Sequence, residues 1–528
     1  MRSPDKVPKR ADPTALRNRL LAVSWLNRAL IGLALLALVV TIFVAVNWPF
    51  QKQAVIDALQ ESSAQSVSID HFYRTYFPPG CVSEKIRFRH GTNKAEPPLI
   101  TVQKLTSEGS YLRILTFQRH LSLVRVEGMR VTVPPKGPDG TPSPVMPVTR
   151  TKSKRSMEIG TVIADGTVLD FFPKEPGKQP FHLIVHKLAL DDLGKNHPIS
   201  YRATIFNPKP PGEIQSTGRF GPWNPDDPGR TAVTGSYTFR NANLAFFKAI
   251  SGTLYSTGKF NGILDHIEVA GTTDTPNFQV FSTSHRRRLT TEFHASVDAT
   301  GGDTFLENVI GHFDRTTIAA TGSVTGENGK VTAVDLFGTA GRIEDLLDLF
   351  IKSKRPPMAG SVRFRAHVEL PPQSESFMKK LKLVGDFGIG GGKFMNPNTQ
   401  RDVGKLSESA QKAEKRDYPE DPATVLSNLK GHVVAGDGIA TLSNLSFRVP
   451  GAYARIYGTY SLIDYKVDLH GTLITTGKIA DATSGFKAVL VKAITPLFKK
   501  KASAKIVHFK ITGKYQHTTV SLDLGAKK

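Results

Sequence analysis

Between Val362 and Leu370 every second residue is apolar. Val362, Phe364, Ala366, Val368 and Leu370 alternate with Arg363, Arg365, His367 and Glu369. A chain with this period places its apolar side chains on one face of a β-strand and its charged ones on the other. The same period recurs along most of the sequence from about Ser66 onward. Ile86 and Phe88 alternate with Arg87 and Arg89, and Tyr201, Ala203 and Ile205 with Arg202 and Thr204. Phe293, Ala295 and Val297 follow it, as do Tyr465, Val467 and Leu469. Gly (45 residues) and Pro (34) are frequent, and long amphipathic helical runs are few, so many short strands joined by turns are expected. Glycines such as Gly218, Gly235, Gly258, Gly271, Gly322 and Gly360 are expected to open strands.

Alternation permits two architectures. In a sandwich, the apolar faces of two sheets pair and disappear from water. In an open, twisted gutter, the apolar face lines a channel that needs an apolar occupant, because large bare apolar surfaces are costly. The period alone leaves both open. The fold class expected is mainly β: one N-terminal transmembrane helix, then a long antiparallel sheet with a few short helices.

The transmembrane expectation rests on residues 29–48, ALIGLALLALVVTIFVAVNW, which contain no charge. At about 1.5 Å per residue the run spans roughly 30 Å, the thickness of a hydrocarbon core. Trp48 suits the interfacial aromatic belt. The run is too long for the h-region of a cleaved signal, and no small-residue cleavage site follows it. Residues 1–28 carry Arg2, Lys6, Lys9, Arg10, Arg17, Arg19 and Arg28 against Asp5 and Asp12, a net +5. The positive flank places the N-terminus in the cytoplasm and the body outside it. The whole chain carries +23. Residues 478–528 hold eleven Lys against Asp481 and Asp523, or +9, which leaves +9 for the middle (23 − 5 − 9). A basic surface outside the cytoplasm fits anionic lipid head groups better than nucleic acid.

The chain therefore divides into a basic tail (1–28), the membrane helix (29–48), a β segment (49–133), a Pro/Gly-rich linker or loop (134–155), a central β-rich region (156–395), a polar connector (396–425) and a C-terminal region (426–528). Short helices are expected at Lys52–Ala64, at Arg342–Lys352 with Ile343, Leu346, Leu347, Phe350 and Ile351 on one face, and at Ser484–Phe498, which Pro496 breaks.

Catalytic patterns are weak. His182 and His186 have the spacing of a helical zinc pair, but FHLIVHKLAL reads as a strand and the Glu of H-E-x-x-H is missing. Gly388 to Lys393 resembles a phosphate loop without its spacing, and Phe394 stands where a hydroxyl is needed. Gly436-Asp437-Gly438 reads as a hairpin turn. Cys81 is the single cysteine, so no intramolecular disulfide forms, and a structural role is expected. No catalytic residue, metal ligand or cofactor is assigned, and no enzyme is expected.

The C-terminal region carries a family likeness. Leu429 to Leu524 includes a strand into Phe447-Arg448-Val449-Pro450-Gly451-Ala452, a helix ending Pro496-Leu497-Phe498-Lys499-Lys500, and a closing strand with Ile511-Thr512-Gly513. Together with Gly258–Phe278 and the N-terminal anchor, this resembles the AsmA-like proteins of Gram-negative bacteria, relatives of the bridge-like lipid-transfer proteins. The resemblance implies an inner-membrane helix, a β-sheet gutter in the periplasm, and a part in phospholipid transfer and outer-membrane biogenesis and integrity. It favours the gutter over the sandwich. Expected lining residues are Val362, Phe364, Val368, Leu370, Ile456, Tyr460, Tyr465, Val467 and Leu469. Phe498, Lys499, Lys500 and Lys501 would contact a membrane or partner. The partners implied are membrane phospholipids and outer-membrane or envelope assembly proteins. The alternative is an assembly or scaffold factor for outer-membrane proteins that carries no lipid.

Overall fold

The computed structural model describes residues 13–46, 48–63, 66–89, 98–116, 120–133, 158–171, 181–193, 198–222, 228–247, 250–280, 285–299, 302–326, 330–350, 355–372, 376–412, 425–475, 506–514 and 517–523. The linker at 134–155, the helix expected at Ser484–Phe498 and the lysines 499–501 lie outside them. The protein is mainly β, with 24 strands and few helices. It divides into two compact units, the first ending mainly at Arg130 and the second running mainly from Lys195 to the C-terminus.

The first unit contains α1 (Pro13–Val46), α2 (Lys52–Ser63), β1 (Ser66–Thr75), β2 (Gly80–Arg89), β3 (Ile100–Glu108), α3 (Tyr111–Leu115) and most of β4 (His120–Val133). α2 matches the helix read from the sequence. α1 includes most of the apolar run, and its side chains are exposed from Asn27 to Phe43. Among the described residues no helix is long and apolar enough to cross a membrane. β1, β2 and β3 pair antiparallel, which brings Ile69, Ile86 and Val102 into one buried row. Cys81 is buried in the same small core, where burial pushes its thiol up to about 11 against the lowering influence of the nearby Ser107 and Ser83 hydroxyls. A thiol held protonated in this way is a poor nucleophile, in keeping with a structural role.

β5 (Glu158–Phe171) is shared between the units, and β6 (Phe181–Leu193) belongs mainly to the second. There follow β7 (Ile199–Pro208), β8 (Pro211–Phe220), β9 (Ala232–Asn243), β10 (Ile250–Ser251), β11 (Thr253–Ile263), β12 (His266–Val280), β13 (Arg287–Val297), β14 (Thr304–Phe313), β15 (Thr316–Thr325) and β16 (Val331–Arg342). α4 (Ile343–Phe350) precedes β17 (Met358–Leu370), and α5 (Phe377–Lys380) precedes β18 (Lys382–Phe394). α6 (Pro397–Lys412) precedes β19 (Ser427–Gly436), β20 (Ile439–Val449), β21 (Ala452–Ser461), β22 (Lys466–Thr475), β23 (Ile506–Lys514) and β24 (His517–Leu522).

From β6 to β24 the chain builds one antiparallel meander, the two-residue β10 lying beside it on β12. Each strand pairs with the next, β9 with β11 across the short β10, and no described pairing joins β24 to a strand before β23. The second unit is thus an open sheet, not two facing sheets. Asp437 and Gly438 turn β19 into β20 with φ of 51° and 78°, as a two-residue primed hairpin requires.

Candidate functional site: one apolar face across the sheet

Antiparallel partners point to the same side of a sheet, so the register shows which side chains share a face. One row starts at Leu190 on β6 and passes through Tyr201, Gly218, Gly235, Phe260 and Val269. It continues through Ala295, Leu306, Gly322 and Val334. It then runs through Val368, Leu383, Ala435, Ala440 and Tyr460 to Val467 on β22. No residue in the row is charged. At 4.7–4.9 Å between strands, its fifteen steps cover about 70 Å. The adjacent row on the other face is mainly polar: Arg202, Thr217, Ser236 and Lys259 in the first part, and Asp335, His367, Thr441, Thr459 and Asp468 in the second, with the exposed Val384 and Val434 between His367 and Thr441. The face survives several bulges, including those between His294 and Ala295 and between Leu306 and Val309, because shifts recur and restore the alternation.

The larger side chains on this face, such as Phe260, Leu306, Val334, Val368, Leu383 and Val467, are half-buried instead of sealed in a core. Relief on the face is low because aromatic rings lie over glycines of the neighbouring strand. A Cβ on Gly258 would come within 2.7 Å of the Tyr237 ring, and one on Gly235 within 2.8 Å of Phe260. Phe364 and Phe509 lie in the same way over Gly338 and Gly471. Gly258, Gly271 and Gly322 therefore stand inside their strands, where they make room for neighbours, and do not open them as expected. The polar groups on this face are internally matched. The Tyr201 and Tyr237 hydroxyls bond the Ser216 and Ser256 hydroxyls at 3.1 Å each. Burial raises both phenols, so they remain neutral.

Two helices cover parts of the face. α4 packs Ile343 against Met358, Val362 and Ile389, with Leu346 and Leu347 alongside. Its first turn is clamped. Glu344 accepts from the Gly360 N–H (3.0 Å), Arg342 Nε (2.9 Å) and Arg315 Nη2 (3.0 Å), while Asp345 accepts from the Arg315 N–H (3.0 Å) and Thr316 Oγ1 (2.9 Å). Burial by itself would raise the Glu344 carboxyl, but the backbone N–H groups and Arg342 outweigh it and hold it below its ordinary value. α6 contributes Val403 to a second cluster that includes Val449, Ala454, Leu473 and Val507, and Ser407 Oγ donates to the Pro450 carbonyl at 2.9 Å.

Eight of the nine expected lining residues share the face. Val368, Leu370, Tyr460, Val467 and Leu469 are half-buried on its open part. Val362 is buried under α4, Phe364 borders that cluster, and Ile456 borders the second one. Tyr465 differs: it is exposed in the turn before β22 with φ of 58°, outside the strand ladder. Phe498, Lys499, Lys500 and Lys501 are outside the described residues. His186 is exposed on strand β6, a geometry that separates residues four apart by about 13 Å along the chain, unlike one turn of helix. Gly388 to Lys393 lie within β18 and form no loop. Neither the ring-over-glycine packing nor the α4 clamp was read from the sequence, although Glu344 and Asp345 in the first turn of an amphipathic helix are a visible N-terminal signal.

Comparison with family models, with characterised proteins and with solved structures finds no match.

Proposed function

We propose that this protein is anchored in a membrane by residues 29–48 and carries phospholipid along the apolar face of its second unit. The reading places the anchor in a bacterial inner membrane and the body in the periplasm, with transfer directed toward the outer membrane. One observation carries it: an uncharged row of residues continues across sixteen strands with its larger side chains half-exposed, while the opposite face is mainly polar. Acyl chains are the occupants that such a face suits. Each buried methylene contributes about 0.8 kcal/mol, and the contact has no preferred direction, so a chain is held yet can slide. Head groups remain in water along the rim. The mechanism is partition and needs no reacting group.

Native mass spectrometry of the protein released from membranes tests this. Phospholipid is expected to co-purify, and a photo-crosslinker at Val368 or Val467 should capture it while one at Arg365 should not. Absence of lipid at the first two positions refutes the proposal. The free edge of β24, which among the described residues pairs only with β23, favours a second reading in which a partner adds a strand there during envelope assembly. Crosslinking from β24 to a protein, with no lipid on the apolar face, would select it.

A further inference from the structure

The first unit has an exposed apolar feature that the lipid face does not explain. Trp48 closes the apolar run of the sequence and is only 3% exposed. Its ring packs against Phe50, Tyr76 and Tyr111, with centroids 5.7, 5.1 and 6.5 Å away. The Tyr111 hydroxyl donates to the Tyr76 carbonyl, and the Tyr111 ring lies 5.8 Å from that of Phe77. The end of the apolar run is thereby tied to two tips, the β1–β2 turn and α3.

These tips carry the two most exposed large apolar side chains among the described residues, Phe77 at 89% and Leu112 at 72%. Single exposed apolar residues are ordinary. Two that project beside the end of an uncharged 20-residue run are not independent of it. The surrounding charge is mainly positive, although Glu108 faces Gly80 across β2 and β3. Residues 48–52, 73–80 and 109–116 contain Lys52, Arg74 and Arg113 and no Asp or Glu. Aromatic and aliphatic tips with cations around them match the chemistry of a bilayer interface with anionic head groups.

We infer that the β1–β2 turn and α3 form a footing on the membrane, with Phe77 and Leu112 entering the head-group layer and Lys52, Arg74 and Arg113 meeting lipid phosphates. The inference rests on the membrane anchor proposed above. Trp48 is the hinge pin of the arrangement: its ring fixes the distance between the anchor and the footing, so the first unit sits on the bilayer instead of swinging from it. A second protein as the occupant would leave the paired tips indifferent to lipid.

The full chain, reconstituted into phosphatidylethanolamine–phosphatidylglycerol vesicles, tests this. A cysteine is introduced at Phe77, at Leu112 or at the hairpin residue Asp437 and labelled with an environment-sensitive nitrobenzoxadiazole. Cys81 is buried and does not compete. Labels at 77 and 112 are expected to shift to the blue and to lose emission to a head-group nitroxide lipid, while the label at 437 does neither. If labels 77 and 112 behave like 437 in chains that resist alkaline carbonate extraction, the footing is refuted and the anchor stands. If carbonate releases the chain, the anchor fails and the footing with it.

Discussion

Glu344 is the keystone of α4, and replacing it should loosen that helix without unfolding the sheet. In Glu344→Ala, the Gly360 N–H loses its acceptor at 3.0 Å in a buried place. An unsatisfied buried N–H costs about 1–3 kcal/mol. Arg315 and Arg342 also lose a partner, but their side chains are 63% and 40% exposed and regain water, which limits their share to about 0–1 kcal/mol. The sum is about 1–4 kcal/mol, or roughly 5- to 900-fold in a local opening equilibrium. The apolar contacts of Ile343, Leu346 and Leu347 remain, so α4 opens more often but stays docked on average. Hydrogen exchange monitored over 343–350 should accelerate by that factor, while the centres of β17 and β18 hold. Acid should act on the same contact. The folded Glu344 carboxyl lies below its ordinary 4.5, so its stabilisation is complete above that value and is lost as pH falls through the depressed one. Protection of α4 should therefore fall with pH below about 4.5 in the wild type, and fall less in Glu344→Gln. Unchanged exchange in Glu344→Ala, or equal loosening of the whole ladder, would refute the clamp.

Other outcomes follow from the two faces. Leu442 and Thr441 are consecutive on β20 and point to opposite sides. Leu442→Asp should remove about 2–3 kcal/mol of local acyl-chain binding, measured by displacement of a fluorescent phospholipid, and Thr441→Asp should leave it unchanged. Gly271→Val should lower the urea midpoint, because its Cβ would stand 2.6 Å from the Thr257 carbonyl oxygen and 3.1 Å from the Phe293 ring; an unaltered midpoint would mean the rings can lift. Cys81 should resist alkylation at pH 8 in the folded chain and react in urea, since its thiol is raised to about 11 by burial; rapid labelling of the native chain would show that the first unit opens.

The strands were legible because period two is a local property. Val362 to Leu370 shows it in nine residues, and β17 forms over them with the expected face inward. The α4 helix was legible for the same reason, its apolar residues recurring at helical spacing. Continuity of the face was not. It depends on how bulges in separate strands offset one another, and the shift between Gly338 and Gly341 is visible only once β16 is paired with β17. Tyr465 shows the limit at an element end: the alternation with Val467 and Leu469 holds, but the chain must turn, and Tyr465 takes a positive φ to let it. Val362 and Ile456 show another limit. Period two assigns the face of a residue, whereas α4 and α6 decide whether that part of the face is covered.

A half-exposed apolar face over a whole sheet would ordinarily invite collapse onto itself or onto a neighbour. Two features of the second unit oppose this. The other face is held in water by ladders of charged and hydroxyl groups, including the cross-strand pairs His367–Asp335 and His432–Asp386 at 2.9 and 2.8 Å. On the apolar face several rings lie over glycines, which lowers the relief that sandwich cores use to interdigitate and gain packing energy. A low, smooth, uncharged floor is a poor partner for another rigid surface and a good one for a flexible chain that conforms to it. The glycines thus weigh against the sandwich on physical grounds, and under the proposed function they would suit lipid: contacts are numerous, each is weak, and none must be broken as a unit for a chain to move one strand further.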